Sequence, residues 1–193
     1  WQAVTGRSRP KAADLDALFL VPSAAITLQT TIGLLPTGVG SVCYRAADGA
    51  GFHETQQDLV ELVSGATGSV SSQQVEVSED EFGFSWLTVH GDPADVAGLC
   101  TDLHGVNTTL EAEGFGPSLL CSLVPFADAS GRRVGLVYLY KQGRFYPFAP
   151  DAERGPQQRD TLLELGVRDA LTDEIPLEPD LGRWLALWGA PGL

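Results

Sequence analysis

The chain has 193 residues and a mass of 20.5 kDa, enough to bury one core and short for two domains with a linker. Hydrophobic residues make up 44% and charged residues 19%, which excludes a disordered tail, a collagenous repeat and a coiled coil. Lys and Arg total 12 against 25 Asp and Glu, and the formal charge of -13 sets up a field that repels nucleic-acid phosphates and anionic lipid headgroups.

The one basic stretch lies at the start, where Arg7, Arg9 and Lys11 are the charged residues of positions 1–11. It is read as a flexible basic segment of a single α+β domain covering 1–193, either a frayed terminus or a point of peripheral contact with an anionic bilayer. With Trp at position 1, the natural start is expected upstream. No apolar run approaches the ~18 residues of a membrane helix; the longest, Leu119 to Ala127, contains Ser122 and Pro125. Cys43, Cys100 and Cys121 are widely spaced and odd in number, which fits neither a secreted disulfide framework nor a zinc ribbon, so a reducing cytoplasm is the expected compartment.

In chain order, Ala12 to Leu20 has Leu15, Leu18 and Phe19 at helical spacing, and Pro22 then opens a second helix from Ser23 to Ile32 that Gly33 closes. Val39 to Ala46 reads as a strand and Phe52 to Val63 as a helix, followed by a small-residue loop from Gly65 to Ser72. Gln74 to Ser78 and Phe82 to His90 alternate and are joined by the acidic turn Glu79-Asp80-Glu81, a hairpin. Asp92 as cap and Pro93 at the first helical position introduce a helix whose Val96, Leu99, Cys100, Leu103, Val106 and Leu110 form one stripe before Gly114. Ser118 to Phe126 and Arg133 to Lys141 are apolar at odd and even positions alike, as strands covered on both faces are. Arg144 to Phe148 contains Pro147 and is therefore an edge strand or a strand end, expected to turn some aromatics outward. Arg159 to Leu171 is a helix, and the tail from Pro176 is punctuated by proline, with a helical turn through Leu181, Trp184, Leu185 and Trp188. This order predicts one antiparallel sheet of five to six strands with helices on one face, around a ferredoxin-like βαββαβ core; a secretion-chaperone-like sandwich is the alternative.

Motifs that carry chemistry are scarce. Gly38-Val39-Gly40-Ser41 starts like a phosphate loop, but Cys43 holds the third glycine position and a strand follows instead of a helix. His53, His90, His104 and the cysteines show no metal-ligand spacing, and Cys100 and Cys121 read as small core residues. No catalytic, cofactor or metal residue is therefore assigned. Arg144, Phe145, Tyr146 and Phe148, with Trp184 and Trp188, have the composition of a protein interface. The other reading is a small-molecule sensor or an enzyme whose pocket gathers distant residues such as Cys43, His53 and His104.

Several stretches together resemble the PspA-associated protein PspAB family of actinobacteria: Gly6-Arg7-Ser8-Arg9-Pro10-Lys11, Asp14-Leu15-Asp16-Ala17-Leu18-Phe19, Pro22-Ser23-Ala24-Ala25, Pro36-Thr37-Gly38-Val39-Gly40-Ser41-Val42-Cys43, Gly114-Phe115-Gly116-Pro117 and Leu119-Leu120-Cys121-Ser122-Leu123-Val124. The likeness continues through Val137-Tyr138-Leu139-Tyr140-Lys141, Phe145-Tyr146-Pro147-Phe148-Ala149-Pro150 and the end of the chain from Trp184. The resemblance implies a non-catalytic accessory role in envelope stress, the phage-shock setting, with PspA and an HtpX-type membrane protease as protein partners, at the inner face of the membrane. It supplies no catalytic residues and no cofactor.

Overall fold

The computed structural model describes residues 14–45, Val60 and residues 75–193. The basic segment 1–11, the predicted helix Phe52 to Val63 apart from helical Val60, the loop Gly65 to Ser72 and His53 lie outside them.

A 3₁₀ turn, Asp16–Leu20, stands where the first helix is predicted and leads directly into α1 (Val21–Ile32). Pro22 sits in the first turn of α1, and Gly33 ends it in the left-handed region with its N–H on the Gln29 carbonyl. β1 (Leu35–Pro36) and β2 (Val39–Arg45) follow, then the hairpin β3 (Val75–Glu79) and β4 (Phe84–His90). The next helix, α2, spans Val96–Ala112. Its cap is Asp95, whose carboxylate accepts from the Gly98 N–H, and not Asp92, which closes the preceding turn by accepting from Ala94 N–H at 2.8 Å. Strands β5 (Leu119–Ala127), β6 (Arg133–Leu139) and β7 (Arg144–Phe148) form a meander, and α3 (Thr161–Leu171) precedes the tail.

The seven strands make one open antiparallel sheet in the order β3-β4-β2-β5-β6-β7, with the short β1 also paired to β5. Among the described residues the architecture is thus α+β, with three α-helices. The segment in which a ferredoxin-like unit would place a helix between β2 and β3 lies, apart from helical Val60, outside those residues.

Alternation sorts the strand residues onto two faces. Val42, Tyr44, Leu87, Val89, Val124, Phe126, Val134, Leu136 and Tyr138 point to one side, where α1, α2 and α3 bury them beneath Leu28, Leu103 and Val167. Cys43, Trp86, Cys121, Leu123, Val137, Tyr146 and Phe148 point to the other, and there the cover is the tail, through Trp184, Leu187, Trp188, Ala190 and Leu193. The apolar residues at successive positions of β5 and β6 are explained by these two cores.

The glycines of the phosphate-loop fragment have packing reasons. Gly38 has φ +75 and is so close to β4 that a Cβ would stand 2.5 Å from the Gly91 carbonyl oxygen; at Gly40 a Cβ would stand 2.8 Å from a methyl of Leu103 on α2.

Candidate functional site

The face away from the helices carries a cleft. Its floor follows from register: Cys43 of β2 is opposite Trp86 of β4 on one side and Cys121 of β5 on the other, and Cys121 is opposite Leu139 of β6. The tail closes the adjoining part of this face. Trp184 stacks on Tyr146 with ring centroids 6.2 Å apart, and Trp188 meets Phe148 edge-on at 5.0 Å. The indole N–H of Trp184 donates to the Glu178 carbonyl at 2.9 Å, and Arg159 donates to the Trp184 carbonyl at 2.7 Å. What stays open is a cavity of about 680 Å³, within the range of small-molecule and side-chain-binding pockets.

Its walls are mainly apolar, with Phe82, Trp86, Leu120, Leu185 and Leu187 prominent. Phe82 and Leu185 are 53% and 60% exposed, so part of this lining faces solvent with nothing of the described chain upon it. The mouth carries two cations. Arg45 lies 5.5 Å over the Phe84 ring, and Lys141 donates to the Pro117 carbonyl at 3.2 Å. Asp80 braces this side: its carboxylate accepts from the Phe82 and Phe84 N–H groups and from the indole N–H of Trp86, each at 2.9 Å. At the floor the Tyr146 hydroxyl is buried without a hydrogen-bond partner, and burial pushes its ionisation upward. The Cys121 thiol beside it, and then burial, hold the Cys43 thiol well above the ordinary thiol range.

The structure gathers most of the aromatic candidates here. Tyr146, Phe148, Trp184 and Trp188 meet on the cleft face, whereas Phe145 belongs to the helix-side core. The expected outward turn of aromatics from β7 is not found: Phe145, Tyr146 and Phe148 are fully buried. The tail runs along this edge, with Phe145 N–H donating to the Pro176 carbonyl at 2.8 Å and Glu178 N–H to the Phe145 carbonyl at 2.7 Å, so the edge is covered despite Pro147. Arg144 stays exposed and donates to the Leu177 carbonyl at 2.9 Å, and Trp188 is half-buried. Cys43 and His104 do not share a pocket. His104 is on α2, on the opposite side of the sheet, with its ring 5.2 Å from that of Phe19. Arg45, Lys141 and Asp80 are not singled out as site residues by the sequence; the spacing of Asp80 and Gly83 in a tight turn was the available sign for the last of these.

Among the described residues no three His, Cys, Asp or Glu side chains converge as metal ligands would, and no helix is long and apolar enough to cross a membrane. Residues 1–192 match the family model PspAB, described as PspA associated protein B. The chain belongs to the PspAB family. No curated protein and no solved structure matches it. The PspAB match takes in every strand of the cleft floor and nearly all of the tail that closes it, so the cleft is built wholly from residues the family covers.

Proposed function

We propose that this PspAB protein is a non-catalytic accessory protein that binds PspA, works beside an HtpX-type membrane protease in envelope stress, and does so from the cytoplasmic face of the membrane. The observation that carries this reading is the match along 1–192 to a family described as PspA-associated. The cleft is the docking place we assign to the partner. Its solvent-facing Phe82 and Leu185 and its half-buried Trp188 suit an apolar side chain, and Arg45 and Lys141 at the mouth suit a flanking carboxylate in a chain that is otherwise strongly acidic. The basic segment 1–11 would add a weak contact with anionic lipid.

Affinity capture of the tagged full chain from its native cell, with the Leu187→Ser variant alongside, tests this. PspA and the protease are expected with the first and depleted with the second; their absence from both overturns the reading. A small-molecule sensor is the second reading, favoured by one observation, the presence of Cys43 in the cleft floor.

A further inference from the structure

Cys43 and Cys121, far apart in sequence, are register partners on adjacent antiparallel strands. Their side chains lie on the same face and are buried as free thiols in the same cluster. Directly opposed residues of such a pair have Cα atoms about 4.5–5.5 Å apart and Cβ atoms about 4.5–5.5 Å apart. A disulfide spans Cα separations of about 4.4–6.8 Å and Cβ separations of about 3.5–4.5 Å, so a small inward movement joins the two sulfurs. The register slips immediately after Cys43, where Tyr44 is opposite Leu119 and Leu120 is left over. A bulge at that point gives the two strands the local twist and slack the movement needs.

Both cysteines also line the cleft, where small molecules can reach them although little of either surface is exposed. The third cysteine is placed otherwise. Cys100 sits on α2, in the core on the far side of the sheet, where burial pushes its thiol up to about 12.

We propose that Cys43 and Cys121 form a cross-strand dithiol that is oxidised to an intramolecular disulfide by the symmetrical disulfide of a small, carboxylate-bearing thiol. Arg45 and Lys141 at the mouth supply the charge to receive those carboxylates. One cysteine thiolate attacks a sulfur of R–S–S–R, forming a mixed disulfide and expelling R–S⁻, which takes up a proton. The second cysteine, losing its proton, attacks the protein-bound sulfur of the mixed disulfide and expels the second R–S⁻, which is protonated in turn. Two S–H bonds of the protein become one S–S bond, and R–S–S–R is reduced to two R–SH. The charged and titratable groups that line the cleft together with the pair are Asp80, Arg45, Lys141 and Tyr146. With Cys43 held in its thiol form, its exchange is expected to accelerate as pH rises and its thiolate fraction grows. This inference is independent of the identity of any protein partner.

The test treats the full chain with oxidised glutathione and, separately, with diamide at about pH 9, followed by intact-mass and peptide mass spectrometry. The expected product has lost two hydrogens and yields a Cys43–Cys121 linked peptide, with Cys100 still free. Cys43→Ser and Cys121→Ser, each checked by thermal melting, are expected to give no such product and at most one glutathione adduct, while Cys100→Ala reacts as the parent does. A stable glutathione adduct without the linked peptide, covalent dimers in place of it, no reaction with either oxidant, or a two-hydrogen loss surviving in either serine variant overturns the proposal.

Discussion

The guanidinium Nε of Arg159 lies 2.8 Å from the Glu164 carboxylate, which is itself only 3% exposed. The same Glu164 oxygen accepts from the Ala149 N–H at 2.9 Å, and the Arg159 guanidinium lies 5.1 Å over the Phe148 ring while also holding the Trp184 carbonyl. One ion pair thus joins the end of β7, the start of α3 and the tail that roofs the second core.

Arg159→Ala leaves a buried carboxylate without its cation, a change that costs about 3 kcal/mol. Urea unfolding is expected to show that loss, and Glu164→Gln, which keeps an acceptor for Ala149 N–H and for Arg159, is expected to lose distinctly less.

Tyr146→Ala is expected to destabilise the fold by about 3 kcal/mol, because the ring is fully buried and stacked on Trp184. The melting temperature checks this, and an unchanged value would mean that the tail does not rest on β7 as described.

Gly38→Ala places a Cβ at a left-handed backbone position and against both the Gly91 carbonyl and the Pro93 ring. A loss of about 2 kcal/mol is expected in denaturant unfolding. Full stability in this variant would refute the packing explanation for the glycine.

Asp128 organises the β5–β6 turn, accepting from the Ser130 hydroxyl at 2.7 Å and from Arg132 Nε at 2.8 Å. The Ser130 hydroxyl first, and then Arg132, hold its carboxyl from 3.8 down to about 2. A carboxyl held lower in the folded state contributes stability above its unfolded value, and that stability is lost as pH falls toward the folded value. The margin in melting temperature of the parent over Asp128→Asn is therefore expected to shrink between about pH 4 and pH 2, and a margin independent of pH contradicts this.

Much of this architecture was legible in the residues. Pro22 and Gly33 bracket α1, and the apolar stripe from Val96 to Leu110 is the buried face of α2. The two-sided apolar character of β5 and β6 announced a second core, yet not what covers it. The tail that does so has no period to detect, because it is held by single contacts such as Trp184 on Tyr146 and Arg133 on the Gly192 carbonyl. β1 was missed because Leu35-Pro36 reads as a turn and pairs with β5 over two residues only. The meeting of Cys43 and Cys121 depends on a register that spacing along the chain does not encode.

The central claim is that the cleft receives PspA. Calorimetric titration of purified PspA into the full chain and into its Trp188→Ala variant tests it most directly, with melting curves to establish that the variant is folded. Binding is expected for the parent, weakened about thirty-fold by loss of the Trp188 ring, as for a central aromatic anchor. No heat of binding with the parent, or equal affinity in the two proteins, would contradict the account.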